Sequence, residues 1–379
     1  MATTHVFIVD TTTFNVHLKY MFAGTGAKEL SADILLSEKE AINKNERLLA
    51  GLAADAARIR RGDYILFYLQ QNKQKGVDEG QLFGIFQAKG KSFIDPQGKT
   101  LRSELGKKLT FRVLIQPYKV YAKGISEWDL LDNIEDIKSP KEMIWSLIYR
   151  KLRGNRGNTM VTLKESDRIF SLLSQKNDGK VLSDQGFLWD CASQIIKPGK
   201  SCKYPNISKQ LDIKPRLIAK YINSSRAFEN LLQTFIVGNI EVVLKNILEG
   251  QKIDWLGNEV SCGVGMQRID VLVQSHDGNG NIFVYPIELK DEPLKTDIFK
   301  QMNRYIAWLK LYYHKNKKQK IVPVVIAAAP KQRKGKYGPT DIDFKRFNQD
   351  NKNNCQKLRY ITFSPDKMLK FEEVDYKKI

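Results

Sequence analysis

Histidine and cysteine are scarce in this chain, four of each among 379 residues. None of the cysteines, at 191, 202, 262 and 355, forms a Cys-x-x-Cys pair, and no histidine lies near Cys191 or Cys202. That leaves zinc ligation without support and makes the thiols incidental or structural in a reducing compartment. Long apolar runs are missing too. None approaches the roughly 20 residues needed to span a bilayer, which removes the membrane as a partner. The opening MATTHVFIVDTTTF carries neither a basic n-region nor an apolar h-region, which predicts a cytoplasmic protein. Collagen-like, coiled-coil and solenoid periods are absent. Acid is in short supply as well: Asp+Glu number 42 against 62 Lys+Arg, a net charge of +20 and a pI near 9.6. Such an excess draws polyanions, and a phosphate backbone held through counterion release would be lost steeply with salt.

What is present is enough chain for two cores. In the first half, HVFIVD, DYILFYLQ, QLFGIFQAKGKSF and KLTFRVLIQPYKVY alternate β-branched or aromatic residues with polar ones, as strands do. The Ala/Leu/Lys/Glu-rich stretch from residue 32 to 63 predicts a helix between the first two. Short strands with few helices imply a small curled sheet or barrel. Trp128 and Trp145 have apolar neighbours at helical spacing and read as core. Composition shifts near residue 175, and 176–223 reads as connecting material with short helices. The resulting organisation is an α/β two-domain chain: 1–175, a linker at 176–223, and 224–379.

Chemistry concentrates in the last part. The strands MQRIDVLVQSH and NIFVYPIELK flank a Gly/Asn/Asp turn, which predicts a hairpin. Alternation along the second strand puts Glu288 and Lys290 on one face and Leu289 in the core, and pairing brings Asp270 beside them. Two adjacent carboxylates repel unless a cation stands between them, and hard oxygen donors suit Mg²⁺. A surface hairpin with scattered charges is the plain alternative, and the flanking segments decide against it. Upstream, SSRAFENLLQTFIVGNIEVVLKNIL reads as a helix with Ser224 or Ser225 as N-cap and Glu229 in its first turns. Downstream, a second helix sets Gln301 and Tyr305 one turn apart on one face, and IVPVVIAAAP reads as a buried strand.

This order resembles the PD-(D/E)xK nuclease superfamily, in particular its RecB-like branch, which includes mismatch endonucleases and carries Gln-x-x-x-Tyr after the catalytic lysine. The likeness covers roughly residues 224 to 365. It implies an α/β restriction-endonuclease-like core that hydrolyses DNA phosphodiesters with Mg²⁺, Mn²⁺ being a substitute, and leaves a 5′-phosphate. In this chain Asp270, Glu288 and the carbonyl of Leu289 would hold the metal, with Glu229 on a metal or its water shell. Lys290 would position the attacking water, and Gln301 and Tyr305 would support the site.

The first half resembles the PUA-like group that includes the YTH and EVE domains, readers of modified bases. The likeness rests on FIVDTTTFNVHLKYMFAG, GDYILFYL, EGQLFGIFQAKGKSF and YRKLRGNRGNTMVTLKESDRIF. It implies a base pocket walled by Phe22, where YTH members usually have Trp, and by Phe93. Asp10, Thr11 and Thr12, in a polar loop after the first strand, would bond the base edge. Both phenylalanines read equally as core aromatics. Arg153, Asn155 and Arg156, in RGNRG, present forks and amides to backbone phosphate, or form a solvated basic turn. Together the halves imply a modification-dependent restriction endonuclease of phage defence. It would flip a base into the N-terminal pocket and cut double-stranded DNA as a homodimer. A mismatch or branched-DNA repair endonuclease, an orthodox sequence-specific restriction enzyme and a non-catalytic nucleic-acid reader are the alternatives.

Overall fold

A computed structural model defines residues 2–26, 29–38, 45–131, 135, 137, 158–205, 209–222, 228–262, 267–312, 319–329, 338–365 and 369–375. Arg153, Asn155, Arg156, Trp145, Ser224 and Ser225 lie outside the described residues. The chain divides into two compact units, Met1–Ser37 with Ala41–Asp212 and Glu38–Glu40 with Ile213–Ile379.

In the first unit, HVFIVD forms β1 (Thr4–Val9), and Asp10 then caps α1 (Thr11–Tyr20). Asp10 Oδ1 accepts from the Thr13 amide at 2.8 Å, and Thr13 Oγ1 accepts from the Asp10 amide at 3.1 Å. This reciprocal box satisfies amides that a helix start otherwise leaves without partners. The polar loop expected at Asp10, Thr11 and Thr12 is therefore an N-cap and a first helical turn. The β2 strand (Phe22–Thr25) follows directly, then α2 (Glu46–Ala57), β3 (Tyr64–Leu69), β4 (Gln81–Ala88), β5 (Phe93–Ile94), α3 (Arg102–Leu105) and β6 (Phe111–Pro117). After these come β7 (Ile125–Ser126), α4 (Glu127–Leu131), β8 (Asn158–Val161), α5 (Leu163–Lys176), β9 (Phe187–Asp190), β10 (Ile195–Pro198) and β11 (Lys209–Gln210).

The main sheet runs β11-β5-β6-β4-β3-β1-β8. It curls because β6 is shared, pairing β2 and β5 through its first residues and β4 through Ile115–Pro117. Alternation along the strands feeds two apolar layers. Phe7 and Phe67 join Phe14 and Leu18 of α1 and Phe187 and Trp189 of β9. Their neighbours Val6 and Leu66 join Ile169 and Leu173 of α5 instead. A buried polar network ties α2 to the sheet edge: Asp63 bonds the His5 ring at 3.0 Å, and Arg58 bonds Asp55 at 2.6 Å and also Asn158.

Two expectations change here. Trp128 is 67% exposed, since the short α4 buries Leu130 and turns Trp128 away. The stretch 176–223 supplies β9, β10 and β11 to the first unit and a helix to the second.

The second unit holds α6 (Lys214–Ile222), α7 (Phe228–Gly238), α8 (Ile240–Val243), β12 (Lys252–Ser261), β13 (Arg268–His276), β14 (Ile282–Lys290) and α9 (Ile298–Tyr312). It continues with β15 (Gln319–Ile321), β16 (Val324–Ala328), α10 (Asp341–Asp350), β17 (Arg359–Pro365) and β18 (Leu369–Glu373). Its sheet runs β12-β13-β14-β16-β17-β18, with β15 also on β14. The first three strands form an antiparallel meander; β14, β16 and β17 are parallel, joined through α9 and α10. Parallel strands covered on both faces are apolar throughout, which is why all five residues of β16 are buried. The β13–β14 turn is closed by the Gly280 amide on the Asp277 carbonyl at 3.1 Å, with Gly280 at φ 74°. Among the described residues no helix is long and apolar enough to cross a membrane.

Candidate active site

The hairpin register runs from His276↔Ile282 to Val271↔Ile287, and one step further sets Asp270 opposite Glu288. There β13 parts from β14 but stays on β12, while β14 continues along β16, as far as Lys290↔Ala327. The parting strands leave ladder groups to be satisfied by side chains. Asp270 Oδ2 accepts from the Leu289 amide at 2.8 Å, and the Asp270 carbonyl accepts from Gln233 Nε2 at 3.0 Å. Gln233 stands on α7 one turn after Glu229, so a single helix face meets the opening.

Glu288 is the hub, 2% exposed. Its Oε1 accepts from Lys290 Nζ and Gln301 Nε2, each at 2.6 Å, and its Oε2 accepts from the Tyr305 hydroxyl at 2.8 Å. Gln301 Nε2 also reaches the Tyr305 oxygen at 2.7 Å, and that hydroxyl lies 2.7 Å from the Arg268 carbonyl. Period 2 along β14 and the i, i+4 spacing on α9 thus converge on one carboxylate.

The charge is unbalanced. The Asp270 carboxyl is raised well above the usual carboxylate range, first by desolvation and then by the charge of Glu288; the Leu289 amide and Lys290 pull it down. Glu229 reaches solvent but is also raised, first by lost hydration, then by Asp291, Glu288 and Glu259, with Lys290 opposing. Desolvation lowers Lys290, but Glu288, Asp270 and Glu229 outweigh it and hold the ammonium above its ordinary range. As it stands, Lys290 is a cation held on the Glu288 carboxylate. Burial pushes the nearby Cys262 thiol up to about 12, Glu288 adding to it, so this cysteine is an inert neighbour.

Among the described residues no three His, Cys, Asp or Glu side chains already stand in a metal-holding arrangement. The reason is visible in Glu288, whose oxygens are turned to Lys290, Gln301 and Tyr305. The donor set nonetheless fits a hard cation: carboxylate oxygens that repel one another, and Asp270 Oδ1 without a bond to any described residue.

The structure joins Asp270, Leu289, Glu288, Lys290, Gln301 and Tyr305 by direct bonds and brings Glu229 within electrostatic range. In the first unit Phe22 and Phe93 are 0% and 4% exposed, and both rings meet Tyr204. Asp10 is committed to its capping box and to Lys107 at 2.6 Å; Thr11 is half-buried and Thr12 exposed. Gln233 escaped the sequence reading although it repeats the four-residue spacing from Glu229. Tyr204 carried no signal within KYPN, which reads as a turn.

No family model matches this chain, and no curated protein is similar to it in sequence. Several solved structures share slight likeness with it, three of which follow. The first, described as EndoMS in apo form, is 20% identical over 34% of this chain and 45% of its own, at a TM-score of 0.22. A repair endonuclease from Pyrococcus abyssi is 23% identical over 34% and 46%, at 0.22. The SfsA protein of Pyrococcus furiosus in complex with Ca²⁺ is 17% identical over 47% and 72%, at 0.24. The chain spans less than half the length of the first two. At such scores the likenesses carry no argument, and the functional reading rests on the site.

Proposed function

We propose that the second unit is a PD-(D/E)xK-type DNA endonuclease core and the first unit a PUA-like reader of a modified base. One observation carries the first statement: Asp270 and Glu288 face each other across the split hairpin with Lys290, Gln301 and Tyr305 on the same carboxylate. Structural ion pairs are balanced, whereas here Asp270 and Glu229 are held above the ordinary carboxylate range, and among the described residues of the cluster Lys290 alone stands against them and Glu288. Phosphoryl chemistry needs such a cation-hungry floor.

Asp270, Glu288 and the Leu289 carbonyl would hold Mg²⁺, or Mn²⁺ in its place, with Glu229 at the metal's water shell. Bound, the ion supplies charge neutralisation at the phosphate and lowers the pKa of an attacking water. Lys290, released from Glu288, orients that water and faces the phosphate charge. Tyr305 and Gln301 keep Glu288 in place, and Gln233 keeps the Asp270 backbone from following its carboxylate. The product carries a 5′-phosphate, and cutting both strands takes two copies of the chain. The +20 charge favours holding duplex DNA, while base specificity comes from the first unit.

The test is an end-labelled duplex with Mg²⁺ or EDTA. Wild type should cut only with Mg²⁺, and Lys290→Ala should bind but not cut. Cleavage by Lys290→Ala at the wild-type rate would remove the mechanism.

A further inference from the structure

In the first unit two aromatic rings meet one buried guanidinium, and a third ring packs against one of them. Phe22 opens β2 and Phe93 opens β5, and Tyr204 lies edge-on to both, with ring centroids 5.2 and 5.6 Å away. Tyr204 belongs to no helix or strand. Its neighbours Ser201, Lys203 and Pro205 are exposed, while Tyr204 itself turns inward, half-buried. The strap is fastened nearby by the Cys202 amide on the Lys19 carbonyl at 2.8 Å.

The Tyr204 oxygen accepts from Arg112 Nη1 at 2.7 Å. Arg112 is fully buried and fixed: its Nε donates to the Leu109 carbonyl at 2.7 Å, its Nη2 donates to the Thr100 carbonyl at 2.8 Å, and Asp95 lies 3.2 Å away to balance its charge. Its carbon also stands 5.4 Å from the centre of the Phe22 ring. A guanidinium locked in this way cannot follow a departing phenol. Leaving its Nη1 donor bare in a buried site is costly, so whatever replaces Tyr204 must bring a planar ring and an acceptor at the same reach.

We propose that this is a self-occupied base slot. The Tyr204 ring holds the place of a nucleobase that bears an exocyclic carbonyl, and yields it when such a base enters. The phenol oxygen stands one bond outside its ring, as a carbonyl of cytosine, thymine or guanine does. Adenine offers at that reach only an amino group, a second donor facing Arg112, and its ring nitrogens stop one bond short. The slot therefore selects pyrimidines or guanine over N6-methyladenine. Tyr204 also screens out weak ligands, because apparent affinity falls by the fraction of time the slot is open. This inference rests on the reading of the first unit as a base reader.

The experiment measures binding in EDTA, so that cutting plays no part. The probes are short single-stranded oligonucleotides with 5-methylcytosine or N6-methyladenine at the centre, offered to the full chain with Tyr204 or with Tyr204→Ala. The slot predicts that Tyr204→Ala binds the 5-methylcytosine probe about tenfold tighter and gains nothing for the N6-methyladenine probe. Equal gain for both probes, or equal affinity of the two chains for the cytosine probe, overturns the slot and leaves the reader. Absence of binding by either chain overturns the reader and the slot with it. Should Tyr204→Ala fail to fold, the same question is put to the wild type carrying 3-fluorotyrosine, with Tyr204→Phe assigning the resonance. Adding the 5-methylcytosine probe should move the Tyr204 fluorine signal to its solvent-exposed position; a bound probe with an unmoved signal overturns the slot.

Discussion

The two units hold their polar clusters in opposite electrostatic states. In the second, among the described residues, three carboxylates crowd around one ammonium, and the Asp270 carboxyl is held well above its ordinary range. In the first, Arg112 meets three oxygen acceptors and a balancing aspartate, and Tyr204 closes it off. One site is short of a cation and the other is already satisfied. The proposed functions follow that difference, a floor that binds and polarises and a slot that discriminates, since a satisfied slot would open only for a ligand that restores what it displaces.

The largest effect that can test this contrast is at the hub. Glu288→Ala strands Lys290, Gln301 and Tyr305 together, and should lower stability by roughly 3 kcal/mol while abolishing cleavage. Chemical denaturation alongside a cleavage assay measures both; unchanged stability would mean that Glu288 is no hub. Next comes His17 in the first unit. Its ring is buried against Phe22 and Phe67, with Arg112, Lys107 and Asp10 as the charges around it, and burial followed by Arg112 lowers it to about 3. A folded value below the unfolded 6.5 means that the unfolded chain binds the proton first, so stability is present above 6.5 and lost as pH falls towards 3. Between pH 7 and pH 5 the loss should be about 2 kcal/mol. Thermal melts of wild type and His17→Leu should diverge in pH slope by that amount; parallel slopes would place the ring in contact with water.

Gln233→Met removes the bond to the Asp270 carbonyl without touching a carboxylate. Turnover should fall about tenfold with DNA affinity kept, and saturating Mg²⁺ should recover part of it. A pure loss of affinity would make Gln233 structural only. Smallest is Asp270→Asn, which relieves repulsion while keeping an oxygen for the Leu289 amide. It should melt higher than wild type, by about 2–4 °C for each kcal/mol relieved, though it cuts nothing. Mg²⁺ should then raise the melting temperature of wild type and leave Asp270→Asn unmoved. A lower melting temperature for Asp270→Asn would show that the acid is stabilising and the cluster balanced.

The same contrast explains what could be read from the sequence. Asp270, Glu288 and Lys290 are tied by a short turn and a period of two, and Gln301 and Tyr305 by one helical turn, so local spacing alone puts them together. Even Gln233 could have been found by stepping four residues on from Glu229. In the first unit the strands are legible from alternation, but α1 is not, because its threonines are weak helix formers and a polar run from Asp10 to Thr13 suits a loop as well as a capping box. Trp128 shows the converse: helical spacing with apolar neighbours put it in a core that α4 is too short to reach. Tyr204 lies beyond any local rule. Its partners Phe22, Phe93 and Arg112 stand about 90 residues away or more, and only the folded sheet brings them to it.

The central claim, a Mg²⁺-dependent nuclease licensed by a base held in the first unit, is tested most directly by digesting one plasmid prepared in several methylation states, with Mg²⁺ and with EDTA. The account predicts cutting only with Mg²⁺ and only where a pyrimidine or guanine is modified. Cutting that ignores methylation, or favours mismatched unmodified duplex, would contradict the licensing, and no cutting under any condition would contradict the nuclease itself.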